Sequence, residues 1–399
     1  MLSTVRTGVA GLGSRGFGLV KDLLMDLQGV EIVAVCDDFG DRAEKMQAAV
    51  REKTGKTPRA YRSYDEMLDA GDLDAVLVIT PWETHVPFAI RAMEKGIPVG
   101  IEVGGATSVQ ECWDLVRTYE KTRTPFMFLE NCCFGRTEMM VTHMVRQGLF
   151  GEIVHCAGAY AHDLRDEVAG GDENHHYRLR HYRNRNCENY PTHELGPIAK
   201  LLNVNSGNRM LSLTSMASKA AGMNAFGVEG RFNQGDVVTT LIRCAGGETI
   251  QLSLDTTLPR YYCRDFTVRG TKGLYEERTN SVYLDGMGHH FDWNAGHWNN
   301  ADSYRETYEH PLWQKFISDG VTGGHGGMDG LVYGAFFRCL QKGWPMPLDV
   351  YDAAAWMAIT PLSEQSIALG SAPVEIPDFT SGRWLISADS IDEYVKRYC

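Results

Sequence analysis

The chain of 399 residues lacks several features that would place it in a class at once. Its ten cysteines form no C-x-x-C pair, which excludes zinc-ribbon and thioredoxin-type motifs and is typical of reduced, mostly buried thiols. No apolar run is long enough to cross a bilayer, and no signal-peptide pattern precedes the first predicted strand. We expect a cytoplasmic protein, or a secreted or periplasmic one if a leader has been removed.

Positive charge is also scarce, because 39 Lys and Arg residues face 51 Asp and Glu residues and the formal net charge is −12. Such a surface repels nucleic acid and anionic membranes, so we expect neither as a partner. The basic stretch "RLRHYRNR" (178–185) is the exception. Its arginines either pair with local acids or form a polar wall for a hydroxyl-rich or anionic ligand.

Short apolar runs alternate with longer amphipathic ones over the first 130 residues. This alternation predicts an α/β Rossmann domain, a doubly wound parallel sheet, over residues 1–131. The candidate strands are 7–12, 31–36, 74–79, 98–103 and 125–130, and the candidate helices lie near 16–28, 40–53, 83–95 and 107–121.

Longer segments with period-2 alternation follow after about residue 150, separated by turns at glycine. They predict an α+β domain over 132–399 with a large, mainly antiparallel open sheet. Residues 280–325 are interpreted as loops and short helices, and late helices are expected near 328–342 and 350–369, with the C-terminal helices packing back on the first domain. The open sheet face predicts a homo-oligomer, a dimer or higher.

The stretch "GLGSRG" is a complete G-x-G-x-x-G motif between a predicted strand and a predicted helix. Gly11 allows the tight turn, Gly13 lets the backbone approach a pyrophosphate, and Gly16 lets helix and strand pack closely. Asp37 follows the second strand about 20 residues later, where a carboxylate binds ribose hydroxyls and repels a 2′-phosphate. The cofactor predicted by this pattern is NAD.

Further polar residues follow the later strands of the predicted sheet, where ligands of such sheets bind. They are Trp82 and His85 after the third strand, Glu102 and Val103 after the fourth, and Asn131 after the fifth. By position alone, Trp82 is equally a packing aromatic residue and His85 a first-turn helix residue.

The stretch "ENYPTHELGP" (188–197) holds a tyrosine and a histidine between two prolines. His193 can accept and return a proton near neutral pH, whereas Tyr190 needs a neighbouring cation to act as a base. Pro191 and Pro197 restrict the backbone and pre-position the pair. The alternative for His193 is a structural histidine that bonds backbone at a helix start.

Other histidines carry less information. His325 in "GGHGGMD" either reaches a ligand or belongs to a plain turn before the next helix. His175, His176 and His181 match no standard zinc spacing, so we expect no metal site.

With these residues laid out, the chain resembles the glucose–fructose oxidoreductase / inositol dehydrogenase superfamily. Its dehydrogenases usually read Glu-Lys-Pro at the fourth strand end, and the lysine helps to deprotonate the alcohol. This sequence reads Glu102-Val103-Gly104, so the usual proton acceptor is absent. A narrower resemblance, to glycoside hydrolase family 109, the NAD-dependent α-N-acetylgalactosaminidases, runs from the first strand nearly to the C-terminus. It is carried by "PWETH", "IEVGGA", "LEN", "GAYAHDLR", "HYRNRN", "ENYPTHELGP", "QGD", "GGHGGMD" and "PLDVYDAAAW".

The resemblance implies a site for each ligand. The implied cofactor contacts are Ser14, Arg15, Asp37, Trp82 to His85, Glu102, Val103 and Asn131. The implied sugar contacts are Tyr160, Arg178, Tyr190, Pro191, Thr192, His193 and Tyr262, to which we add His325 as a substrate-binding candidate.

It also implies a redox-neutral, retaining hydrolysis of a glycoside or glycan in which tightly bound NAD⁺ takes the hydride from C3 of the sugar. The C2 proton and the C1 substituent then leave, water adds, and the hydride returns. We expect His193 to take the C3 hydroxyl proton and Tyr190 or Tyr262 to serve the C2 proton or the leaving group. Two alternatives are an NAD-dependent glycoside 3-dehydrogenase and a non-catalytic NAD-sugar sensor.

Overall fold

The computed structural model of the chain describes residues 2–287, 298–386, 388 and 390–399. Residues group into two compact units. Unit 1 comprises Met1–Asn131, Lys315–Ala354 and Ser390–Cys399, and unit 2 comprises Cys132–Gln314 and Ala355–Asp389.

The strands form one sheet in each unit. They are β1 (Val5–Ala10), β2 (Val30–Cys36), β3 (Arg59–Tyr61), β4 (Ala75–Val78), β5 (Val99–Ile101), β6 (Phe126–Phe128), β7 (Ile153–Ala161), β8 (Met210–Ala217), β9 (Val237–Cys244), β10 (Thr249–Asp255), β11 (Thr267–Gly270), β12 (Gly273–Glu276), β13 (Ser281–Leu284) and β14 (Val374–Glu375).

The α-helices connect these strands and cover the sheets. They are α1 (Ser14–Asp22), α2 (Gly40–Thr54), α3 (Tyr64–Asp69), α4 (Trp82–Glu94), α5 (Val109–Thr122), α6 (Arg136–Arg146), α7 (Arg165–Ala169), α8 (Arg178–Asn184), α9 (Thr192–Leu201), α10 (Gly222–Ala225), α11 (Asp302–Tyr308), α12 (Pro311–Asp319), α13 (Met328–Lys342), α14 (Val350–Met357), α15 (Ile359–Ala368) and α16 (Ser390–Tyr398).

The sheet of unit 1 is parallel, in the order β3-β2-β1-β4-β5-β6. Its central strand β4 is apolar and buried at every position, as expected of a strand in a sheet with both faces covered. The order reverses between β1 and β4, which is the point where doubly wound sheets bind ligands. The predicted Rossmann fold is confirmed.

The sheet of unit 2 has the order β13-β12-β11-β7-β10-β9-β8-β14. Its strand pairs are antiparallel except for β7 with β10, so the predicted mainly antiparallel sheet is confirmed. One face packs against α9 and α15. The other face carries Met216 on β8 and Leu241 on β9, which are 65% and 52% exposed. The homo-oligomer inferred from this open face stays a prediction.

Several predicted elements differ in detail. The predicted helix 350–369 is wrong as a single helix, because Pro361 cannot donate to the Met357 carbonyl and its ring clashes there, which separates α14 from α15. The short elements β3 and α3 were not predicted. The region 280–325 contains the strand β13 besides helices, and its residues 288–297 lie outside the described part.

The remaining sequence predictions concern thiols and membranes. All ten cysteines are free, and eight of them are buried. Among the described residues, no helix combines the length and the apolar character needed to cross a bilayer.

Candidate active site

The dinucleotide-binding turn joins β1 to α1 in unit 1. Gly11 has a φ of +91°, and a Cβ atom on it would lie 2.2 Å from the Ile79 carbonyl oxygen. A Cβ atom on Gly16 would lie 2.0 Å from the Gly11 carbonyl oxygen. Both positions therefore require glycine, whereas Gly13 is the extended residue that precedes the helix. Because α1 begins at Ser14, its first N–H groups lie at this turn and fit a dinucleotide pyrophosphate.

Asp37 follows β2 and is only 9% exposed. Its Oδ2 accepts the N–H of Leu12 at 2.7 Å, and its Oδ1 accepts the N–H of Phe39 at 3.0 Å. The Arg42 guanidinium lies over the Phe39 ring, 3.9 Å from Oδ1. A carboxylate offers about four acceptor positions, so each oxygen can still accept a ribose hydroxyl. This arrangement fits the adenosine ribose of NAD.

The end of β5 carries Glu102 and Val103, and Gly104 follows. Trp82, the first residue of α4, packs closely against Gly104, where a Cβ atom would lie 2.3 Å from the indole Cδ1. The indole occupies the space that a side chain at position 104 would need. This contact requires glycine at position 104.

His85 lies in the first turn of α4 and is buried. Its Nε2–H donates to the Thr80 carbonyl oxygen at 2.7 Å. Burial lowers the pKa of the imidazole to about 4, so the ring is neutral near pH 7. His85 thus ties α4 to the end of β4, where the sheet order reverses.

A cluster of charged groups lies beside the dinucleotide turn. The Arg15 guanidinium donates to Glu102 Oε1 at 2.9 Å through Nη2 and at 3.1 Å through Nε. The buried Tyr333 hydroxyl donates to the same oxygen at 2.8 Å. Three hydrogen bonds thus converge on Glu102 Oε1 and hold the carboxylate against α1 and α13.

Asp329 completes this cluster from the first turn of α13. Its carboxylate accepts hydrogen bonds from both terminal nitrogens of Arg15, at 2.8 and 2.9 Å, and from the side-chain amide of Asn131, at 2.8 Å. His325 Nδ1 lies 2.8 Å from Asp329 Oδ2, the oxygen that also accepts from Arg15 Nη1. Burial by itself raises the pKa of Asp329, but hydrogen bonds from Arg15 and His325 hold it well below its usual range.

Apart from His325, the predicted sugar-binding residues belong to unit 2, where Tyr190 precedes α9 and His193 lies in its first turn. The Tyr190 hydroxyl lies 3.5 Å from His193 Nε2, and the two rings meet edge to face with centroids 4.9 Å apart. Pro191 caps the helix, and Thr192 is its fully buried first residue. The prolines and the buried threonine together hold the pair on a helix end.

Two further residues pack on this pair. The Tyr160 ring, from β7, lies 4.5 Å from that of Tyr190 and 5.7 Å from that of His193. The Arg178 guanidinium lies 4.8 Å from the Tyr190 ring centroid and pairs with Glu167 at 2.7 Å. A buried cation thus faces an aromatic wall, which suits a ligand rich in hydroxyl and carbonyl oxygens.

Tyr262 lies next to His162, which in turn contacts Tyr160. Tyr262 is 53% exposed. The His162 ring meets the Tyr262 ring edge to face at 5.2 Å, and its Nδ1 lies 3.3 Å from the Tyr160 hydroxyl. Partial burial raises the pKa of Tyr262, so its phenol is protonated near pH 7. Burial also raises the pKa of Tyr160, so both residues offer a hydroxyl donor.

Two family models match the chain. A model for "Oxidoreductase family, NAD-binding Rossmann fold" matches residues 5–129, and one for "Glycosyl hydrolase 109, C-terminal domain" matches residues 134–386. An alpha-N-acetylgalactosaminidase of Tannerella forsythia is 40% identical, with 96% of this chain and 87% of that protein covered. The chain belongs to glycosyl hydrolase family 109. The resemblance predicted from the motifs is confirmed, and the protein is a glycoside hydrolase with a Rossmann domain of the NAD-binding type.

Other proteins agree with this assignment. A family 109 protein of Stenotrophomonas maltophilia is 40% identical over 95% of this chain and 90% of its own length. An inositol dehydrogenase homolog from Azotobacter vinelandii, solved with NAD⁺, has a TM-score of 0.71 at 18% identity and covers 94% of this chain and 97% of its own. A myo-inositol 2-dehydrogenase from Lactobacillus plantarum has a TM-score of 0.68 at 16% identity, with 94% and 100% covered. At these identities the solved structures show the fold of this family 109 chain.

The structure also contains site candidates in this family 109 chain that the sequence reasoning missed. His162 lies two residues after Tyr160, and Asp329 and Tyr333 lie in and after "GGHGGMD". The i,i+4 spacing of His325 and Asp329 on a helix start could have indicated their contact. No local pattern connects Asp329 with Arg15, because 314 positions separate them.

Proposed function

We propose that this family 109 enzyme is a retaining α-N-acetylgalactosaminidase that holds NAD as a permanent cofactor. The observation that carries the proposal is the Tyr190–His193 pair under Arg178, in a chain that also holds a complete dinucleotide turn with Asp37. The name of the Tannerella forsythia relative supports the sugar assignment. The predicted cofactor contacts, from Gly11 to Asn131, lie in unit 1 together with His325, and the predicted sugar contacts lie in unit 2.

Bound NAD⁺ would supply a reversible oxidation at C3 of the sugar, which makes the neighbouring C2 proton acidic. The chain itself must move the protons. His193 takes the proton of the C3 hydroxyl and returns it, since an imidazole exchanges protons near neutral pH. Arg178 and Tyr160 orient the sugar by hydrogen bonds and by contact with its ring.

Tyr190 and Tyr262 serve the other two transfers, removal of the C2 proton and protonation of the leaving oxygen. Both hydroxyls belong to the cluster around Tyr160, Tyr190 directly and Tyr262 through His162. Water then adds at C1, and the groups act in reverse to restore the alcohol. The lysine used by related dehydrogenases is absent at position 103, and Arg15 pairs with the neighbouring Glu102. An arginine does not deprotonate near neutral pH, which supports His193 as the base.

The overall reaction is tested with purified protein, 4-nitrophenyl α-N-acetylgalactosaminide and no added cofactor, in deuterium oxide. We expect release of nitrophenol and one deuterium at C2 of the product sugar. Accumulation of NADH with an intact glycoside would instead indicate a glycoside 3-dehydrogenase. Binding of the glycoside with neither result would indicate a sensor.

The residue roles are tested by three variants. H193A should lose turnover by at least about 100-fold while it retains bound NAD, because a general base contributes roughly that factor or more. In Y190F and Y262F, the variant that loses isotope exchange at C2 identifies the base for that proton. H155A is the matched control, since His155 lies on β7 and bonds Thr249 outside the cluster. Near-normal turnover by H193A would overturn the assignment.

A further inference from the structure

Asp329 is the residue that joins the dinucleotide turn to the glycine-rich loop around His325. It is 2% exposed, and its oxygens receive four hydrogen bonds: two from Arg15 and one each from Asn131 and His325. A carboxylate has about four acceptor positions, so these donors fill it. Asp329 therefore has no acceptor position left for a ligand and can act only by positioning other residues.

His325 Nδ1 lies 2.8 Å from Asp329 Oδ2 and 3.3 Å from Arg15 Nη1. Of these two neighbours only the carboxylate can accept the Nδ1–H, so His325 depends on it for its orientation. Its φ is +52°, and Gly326 and Gly327 follow with φ of +67° and +102°. Glycines have little conformational preference of their own, so the loop does not by itself hold the imidazole in one direction. Since Asp329 accepts from Nδ1, the Nε2 atom is the one that His325 presents to its surroundings, and the side chain is 54% exposed.

Arg15 binds the same Asp329 carboxylate from the side of the dinucleotide turn. It is the second residue of α1, at the turn where the pyrophosphate is proposed to bind, and Glu102 holds its other edge. Asn131, a second proposed cofactor contact, bonds the same Asp329 oxygen as Arg15 Nη2. Two proposed cofactor contacts and one proposed substrate contact thus share one carboxylate.

We infer that Asp329 is a positioning residue that couples occupancy of the dinucleotide turn to the order of the His325 loop. When the dinucleotide fixes Arg15 and Asn131, their shared carboxylate is fixed with them, and His325 is held with Nε2 outward. When the turn is empty, Arg15 is free to change partner and the loop loses its anchor. His325 is therefore held in one orientation only in the enzyme that carries its cofactor. The inference rests on the proposed function for the identity of the dinucleotide.

Hydrogen–deuterium exchange of residues 321–327, measured on protein stripped of its dinucleotide and on the same protein with saturating NAD⁺, tests the coupling without any activity assay. In the wild type, NAD⁺ should slow exchange in this segment by at least about fivefold, the lower end of common coupling factors. In D329N the segment should exchange rapidly in both states. In R15Q, which leaves the Asp329–His325 bond in place, saturating NAD⁺ should change exchange by less than about twofold.

D319N is the matched control, because Asp319 pairs with Lys315 on the surface of α12. It should behave as the wild type. If D329N does not fold, the exchange of residues 321–327 in the wild type and in R15Q still tests the coupling. Titration calorimetry of the stripped protein with NAD⁺ separates the two proposals: a stripped, folded wild type that binds no NAD⁺ overturns both. A wild type that binds NAD⁺ without slowing exchange in 321–327, or an R15Q protein that keeps the full protection, overturns the coupling alone.

Discussion

Glu188 is a carboxyl group in an unusual place, fully buried two positions before Tyr190. Its backbone N–H donates to the Ser363 hydroxyl at 2.8 Å, and its carbonyl accepts the Thr360 hydroxyl at 2.8 Å. Burial raises the pKa of Glu188 to about 8, although the backbone N–H groups of Tyr190 and Leu254 oppose the rise. The residue therefore carries its proton in the folded protein near neutral pH.

This shift makes the free energy of unfolding depend on pH. The pKa of Glu188 is higher in the folded state than the roughly 4.3 of an unfolded glutamate. The contribution of Glu188 to the free energy of unfolding is therefore fully present below about pH 4 and is lost as the pH rises through about 8. E188Q should remove this loss and be more stable than the wild type at pH 9, on the order of a few kcal/mol. Urea denaturation of the wild type and of E188Q at pH 5, 7 and 9 measures this difference in the free energy of unfolding.

The control for this prediction is E375Q on the exposed strand β14, which should follow the wild-type profile. The same pH profile for E188Q and the wild type would show that Glu188 is ionised in the folded protein. Its hydrogen-bonded backbone is the same in both, so a difference between them reports the carboxyl group.

Among the elements, the β1–α1 turn depends most strictly on its residue types. Gly11 and Gly16 leave no room for a Cβ atom, since backbone atoms fill the space on both sides. Gly18 in the same helix has no atom within 4 Å of the position of its Cβ. A Gly-to-Ala substitution is therefore excluded at position 11 in the turn and permitted at position 18 in the helix that follows.

G11A should destabilise the protein by at least about 2 kcal/mol and abolish NAD⁺ binding, because the turn must open to relieve the contact with Ile79. G18A should retain NAD⁺ binding and gain up to about 1 kcal/mol, the helix-propensity difference between glycine and alanine. Chemical denaturation and calorimetry measure both. A G11A protein with normal affinity for NAD⁺ would contradict the proposed role of the turn.

At the scale of the whole molecule, a ligand that binds only the folded chain must raise its stability. NAD⁺ at about 100 times its Kd should add roughly 2.7 kcal/mol to the unfolding transition that includes unit 1. NADP⁺ at the same concentration should add less, because its 2′-phosphate would meet the Asp37 carboxylate. Differential scanning calorimetry with each dinucleotide measures the shifts in Tm. Equal shifts would contradict the preference for NAD.

Features that depend on local spacing could be predicted from the amino-acid sequence. Strand and helix periods predict both sheets, because side chains alternate every two residues in a strand and recur about every 3.6 in a helix. The glycine turn and Asp37 could be predicted because each belongs to a fixed position relative to a strand end. The Tyr190–His193 pair was visible for the same reason, since its members are three positions apart.

Contacts between residues far apart in the chain could not be predicted from the sequence, because they form only on folding. Asp329 lies beside Arg15, and Tyr160 and His162 lie beside Tyr190 and Tyr262, because folding brings separate strands and helix ends together. Such contacts leave no period in the sequence, since a charge or an aromatic ring is compatible with many surroundings. The burial of Glu188 was hidden for this reason too, because its pKa depends on what excludes water from it rather than on its neighbours along the chain.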